Sequence, residues 1–153
     1  MPHIHPKIDF TVGALIVYNN KVFLRKHDKY NLWMGIGGHI ELDEDPVQAV
    51  IREAKEEAGL DIEIIGTLPD IVPTQDQREL IVPHFMDRHR ISPDHEHISM
   101  TYFARAKTDQ VAPTGDDISN EWRWVSAEEL ATMDLLPKIR YYANEALRVA
   151  SES

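Results

Sequence analysis

The chain has 153 residues and a net charge of −10 with histidines neutral, a length at which one core can bury about two-thirds of the unfolded surface. It contains no cysteine, which excludes disulfides and thiolate metal sites. The acidic balance argues against general nucleic-acid binding, because such a surface repels phosphate backbones. A phosphorylated small substrate stays compatible with it, provided cations sit between carboxylates and phosphates. The N-terminal Met1-Pro2-His3-Ile4-His5-Pro6-Lys7 lacks the apolar core of a signal peptide, and no run approaches the ~18 apolar residues of a membrane span. The expectation is a cytoplasmic protein, one domain over residues 1–153, with no membrane partner and a homodimer left open.

Thr11 to Val17 is an apolar, β-branched run, followed by the turn pair Asn19-Asn20 and by Val22-Phe23-Leu24: a strand, a turn and a strand. Trp33 to Glu41 is a glycine-rich strand or loop whose bare backbone allows close approach to a ligand. Pro46 to Ala58 reads as a helix, with Asp45 as N-cap, Pro46 at the first helical position, Gln48 completing a capping box and Gly59 as C-cap. Asp61 to Ile65, Leu80 to Val82, Ile98 to Ala104 and Trp122 to Val125 read as further strands. Residues 69–97, rich in Pro, Asp, His and Arg, read as a long functional loop around one of them. A second helical region starts at Ser126, with Glu129 in another capping box, and Ile139 to Val149 continues as helix after Pro137. This order predicts an α/β fold in which a mixed sheet is packed between helices.

At about 100° per residue, Val47, Val50, Ile51, Ala54 and Ala58 share the stripe of the first helix that meets the core. Glu53, Glu56 and Glu57 project from another side, bordered by Arg52. Like charges at these spacings repel by a few tenths of a kcal/mol per pair. Taken alone they read as a solvated acidic face. They also suit a hard cation, since Mg²⁺ takes oxygen ligands from few carboxylates plus substrate phosphates.

The residues before the helix change that balance. Gly38, Glu44, Arg52, Glu53, Ala54, Glu56, Glu57, Gly59 and Leu60 match Gly-x5-Glu-x7-Arg-Glu-U-x-Glu-Glu-x-Gly-U, where U is a bulky aliphatic residue. Seven fixed residue types fall in register, and Ala54 alone is smaller than the pattern asks. On this motif, 23 residues of 153, the chain resembles the Nudix hydrolase family. The resemblance implies a mixed sheet sandwiched between helices, and an enzyme that uses Mg²⁺ or Mn²⁺ to cleave a diphosphate linkage in a nucleotide-type substrate: a nucleoside triphosphate, a nucleotide sugar or ADP-ribose, or a dinucleoside polyphosphate. It implies that Glu56 and Glu57 hold the cation with a backbone carbonyl near Gly37 and Gly38. Glu53 then belongs to the metal and catalytic group, Arg52 orients it, and Glu44 supports them. The alternative is a non-catalytic nucleotide sensor on the same fold; such domains usually carry eroded boxes, and this one is intact.

Some members of the family use a further carboxylate from a distant loop, and Glu96 is the candidate here, second to Glu53 as general base. His95 and His97 are either loop histidines or, facing one way on a strand, ligands for a softer metal. Tyr30 and Trp33 could stack a base but read better as buried packing, as does one of Trp122 and Trp124. The histidines of the first six residues read as a frayed terminus. Because replacing Glu53 or Glu57 by Gln relieves like-charge repulsion, the metal-free variants are expected to melt no lower than the parent.

Overall fold

In the computed structural model, which describes residues 4–27, 29–115 and 121–152, the sheet is organised around one long strand, β1 (Ile8–Tyr18). Its even positions Val12, Ala14 and Ile16 enter one core and its odd positions Leu15 and Val17 another. That is the alternation expected of a strand covered on both faces. Asn19 and Asn20, at φ 51° and 60°, close a two-residue turn into β2 (Lys21–His27), with Tyr18 paired to Lys21. Positive φ at both central residues is the type I′ pattern, which asparagine tolerates.

β3 (Leu32–Met34) adds to β2, and β4 (Ile36–His39) adds to the N-terminal part of β1, both antiparallel. β5 (Ile62–Ile64) and β6 (Phe85–Ser92) pair with one edge of β7 (His95–Ala106). The other edge of β7 runs parallel to β1 from Ile8↔Glu96 to Val17↔Arg105. β8 (Trp122–Val125) pairs with β2, giving a mixed sheet of eight strands among the described residues.

Helices cover both faces. α1 (Pro46–Ala58) buries Ala49, Val50, Ala54 and Ala58 against Val12, Ala14, Ile16, Tyr102 and Ala104. α2 (Ala127–Thr132) and α3 (Pro137–Glu152) bring Leu130, Ile139, Ala143 and Ala146 against Leu15, Val17, Val22, Leu24 and Phe103. The expected α/β sandwich is therefore observed, with both capping boxes formed. No helix of the described residues is long and apolar enough to cross a membrane.

Some expectations fail. Leu80 to Val82 forms no strand, and Val82 is 75% exposed. The run has local β propensity, but β6 and β5 already occupy that edge of β7, and a strand without a free edge has nothing to bond. The second part of the 69–97 loop is instead the β6–β7 hairpin, whose half-exposed polar residues hid the strand pattern. The N-terminal segment is also tied down. Ile4 N–H donates to Asp9, and the Lys7 carbonyl accepts from Glu96 N–H. His3 lies outside the described residues.

Candidate active site

α1 starts where Asp45 accepts Gln48 N–H at 2.8 Å and Gln48 returns the bond to Asp45 N–H at 2.9 Å. It stops where Gly59 takes φ 68°. Between these ends the buried arc is Ala49, Val50, Glu53, Ala54, Glu57 and Ala58, whereas Ile51, expected in the core, is 43% exposed. The helix is thus rotated toward its glutamates. Three alanines let it lie close to the sheet, and the residues opposite the glutamates are Gly37 and Gly38. A Cβ on Gly38 would collide with the Glu53 carboxylate. Glu53 and Glu57 are consequently buried, and only Glu56 keeps a side chain 44% exposed.

Each carboxylate is held. Glu57 Oε1 accepts Gly37 N–H at 2.7 Å, and Glu57 Oε2 lies 2.7 Å from Arg25 Nη2, whose side chain is as buried as its partner. Arg52 grips Glu44 through Nε and Nη2, each at 2.8 Å, and donates to the His39 carbonyl at 3.0 Å. Its Nη1 reaches Glu53 at 2.9 Å and Glu56 at 3.2 Å. Glu44 is itself anchored in the turn before the helix by Glu41 N–H at 2.9 Å.

These contacts separate the carboxylates chemically. Burial pushes the Glu53 carboxyl up, and the Arg52 guanidinium only partly offsets it; Glu56 and Glu44 add to the rise. The hydrogen bonds from Arg52 hold Glu44 below the usual carboxylate range against a smaller effect of burial. One arginine therefore serves a carboxylate kept ionised and a second kept basic.

A hard divalent cation fits the donor set. The box side chains that meet here, Glu53, Glu56 and Glu57, are carboxylates, the oxygen donors that Mg²⁺ takes. Each carboxylate oxygen offers two acceptor positions, so the arginine bonds do not saturate Glu53 or Glu57.

A profile of the NUDIX domain matches residues 7–146. The chain belongs to the Nudix hydrolase family. A NUDIX-family hydrolase from Clostridium perfringens has the same fold at TM-score 0.82, with 33% identity over 93% of this chain and 97% of that one. The dihydroneopterin triphosphate diphosphatase of Haemophilus influenzae is 29% identical over 116 residues, 75% of this chain and 70% of its own length. A Lactococcus lactis protein named "Probable DHNTP pyrophosphohydrolase" is 32% identical over 68 residues, 44% of this chain and 41% of its own. The match thus spans less than half of that protein.

The Nudix helix and glycine strand bring Gly37, Gly38, Glu44, Arg52, Glu53, Glu56 and Glu57 together. Glu96 is not on a loop: it lies on β7, where Arg88 holds it bidentately at 2.7 and 2.8 Å. Those bonds keep its carboxyl below the usual range. Trp33 packs against the α3-side core, whereas Tyr30 is 51% exposed and leans on His27. Trp124 packs on Phe23 and Trp122 is 41% exposed. Sequence reasoning missed Arg25. Its signal was a charged residue continuing the buried run Val22-Phe23-Leu24.

Proposed function

We propose that this Nudix hydrolase cleaves a phosphoric anhydride bond in a nucleotide-like triphosphate or diphosphate, with Mg²⁺ or Mn²⁺ held by Glu53, Glu56 and Glu57 and by a backbone carbonyl of Gly37 or Gly38. A divalent cation supplies Lewis acidity here, neutralising phosphate oxygens and acidifying water. Glu53 takes the proton of the attacking water. It is buried and held by Arg52 through one oxygen, which leaves the second for the proton. Water oxygen bonds to phosphorus as the bridging P–O bond breaks, and the leaving phosphate departs with the bridging oxygen. Arg52 fixes the Glu53 carboxylate, and Glu44 fixes Arg52.

The observation that carries this reading is geometric: one guanidinium, that of Arg52, reaches Glu44, Glu53 and Glu56, and Gly38 lies directly against the Glu53 carboxylate. The name of the Haemophilus relative puts dihydroneopterin triphosphate first among substrates to try, ahead of nucleoside triphosphates, nucleotide sugars and dinucleoside polyphosphates. The test is a substrate panel read by phosphate and pyrophosphate release with Mg²⁺, with Mn²⁺ and in excess EDTA. Turnover should require the cation, and full turnover in EDTA would overturn the proposal.

A further inference from the structure

Parallel pairing fixes which side chains meet on the face of the sheet opposite α1. Asp9 of β1 is the register partner of His97 of β7, and His95 lies two residues earlier on the same strand face. Counting by twos from Leu15 and Val17 on β1 and from Phe103 on β7 puts all three on the side covered further along by α3. Each offers one ligand atom, and these atoms all lie within 4.8 Å of one another. We propose that Asp9, His95 and His97 form a second metal site, for a borderline transition cation such as Zn²⁺ rather than Mg²⁺.

The chemistry of the donors selects that class. Two imidazoles and one carboxylate suit Zn²⁺ and its first-row neighbours, whereas Mg²⁺ prefers an all-oxygen shell. Ligands about 2.0–2.1 Å from a tetrahedral ion lie roughly 3.3 Å apart, so small side-chain adjustments close the set.

The surroundings orient the ligands as a metal requires. His95 Nδ1 is 3.1 Å from the Pro6 carbonyl. A carbonyl only accepts, so Nδ1 carries the proton and Nε2 carries the lone pair. Asp9 Oδ1 accepts Phe10 N–H and Oδ2 accepts Ile4 N–H, each at 3.0 Å, with His39 Nε2 also 3.0 Å from Oδ2. Asp9 is 1% exposed and His95 6%. The rings of His39 and His95 each lie 5.1 Å from that of His97, edge to face, and His89 lies 5.7 Å from it, so the site is walled by imidazole.

This site is distinct from the box carboxylates. Gly38 backs Glu53 on the α1 face, and the next residue, His39, turns its ring to Asp9 on the other. The two ligand sets share no residue. A cation at Asp9, His95 and His97 would clamp the N-terminal segment, through Pro6 and Asp9, onto β7, and its role would be structural.

The full chain, stripped with chelator, is titrated with Zn²⁺ in millimolar Mg²⁺ by calorimetry, and with Co²⁺ by absorption. A single equivalent should bind and raise the melting temperature. His97→Gln should weaken it beyond the roughly 10–100-fold that losing an outer-shell partner costs. Glu56→Gln should leave it unchanged. Should His97→Gln fail to fold, ¹⁵N shifts of the wild-type His95 and His97 rings decide, since both must move on Zn²⁺ addition. No binding in Mg²⁺, or binding lost in Glu56→Gln and kept in His97→Gln, overturns the proposal and leaves a hydrogen-bonded histidine cluster.

Discussion

Arg25 Nη2 on β2 lies 2.7 Å from Glu57 Oε2 on α1, with side chains 6% and 5% exposed. A buried pair adds little over a well-packed apolar pair, but removing one member of such a pair costs about 3–5 kcal/mol. Arg25→Met should therefore lower stability by that order in urea denaturation. Glu57→Gln should also lower it, because the 2.7 Å ion pair with Arg25 is lost. This reverses the expectation drawn from like-charge repulsion on the helix. A metal-free Glu57→Gln that melts with the parent would show that the pair is not formed in solution.

Gly38→Ala separates the site from the fold. The added methyl meets the movable end of Glu53 rather than backbone, so the chain should fold with near-parental circular dichroism while Glu53 is displaced. Activity should fall by at least a hundredfold, about 2.7 kcal/mol of transition-state stabilisation. Unchanged kcat/KM on whichever substrate the panel identifies would argue against a fixed role for this carboxylate.

The pH dependence of stability has opposite signs at the two carboxylates on Arg52. Burial raises the folded pKa of Glu53, so the folded chain binds that proton more tightly than the unfolded chain, and stability from this group is gained as pH falls through the raised value. Glu44 is depressed by Arg52, and its contribution is present above the unfolded pKa and lost as pH falls through the folded one. In EDTA, Glu53→Gln should melt above the parent at neutral pH, with the gap narrowing on acidification. Glu44→Gln should melt below it, again with a narrowing gap. Melting curves across pH check both signs.

The choice of base is testable by comparing Glu53→Gln with Glu96→Gln at saturating metal. Glu53→Gln should lose ~2–4 kcal/mol of transition-state stabilisation, and Glu96→Gln less than tenfold in kcat, because Arg88 already engages both Glu96 oxygens. A thousandfold loss confined to Glu96→Gln, with the acidic limb of the kcat–pH profile gone, would transfer the role to Glu96.

Local information was enough for much of this. The capping residues Asp45, Gln48 and Gly59 set the ends of α1, the Asn19-Asn20 pair set the first hairpin, and the spacing from Gly38 to Leu60 identified the family, because each depends on residues near one another in sequence. What needed the tertiary structure depended on which edge or face a segment meets. Leu80 to Val82 has strand propensity but no edge to join, while the polar run Phe85–Ser92 became β6 because β7 offered one. Periodicity placed the α1 glutamates outside the core. The absence of side chains at Gly37 and Gly38 let the helix turn Glu53 and Glu57 inward, Glu57 onto Arg25 from a strand more than twenty positions earlier. Likewise, no local pattern joins Asp9 to His95 and His97; parallel pairing of β1 with β7 does, since it makes register partners of residues that the chain itself keeps far apart.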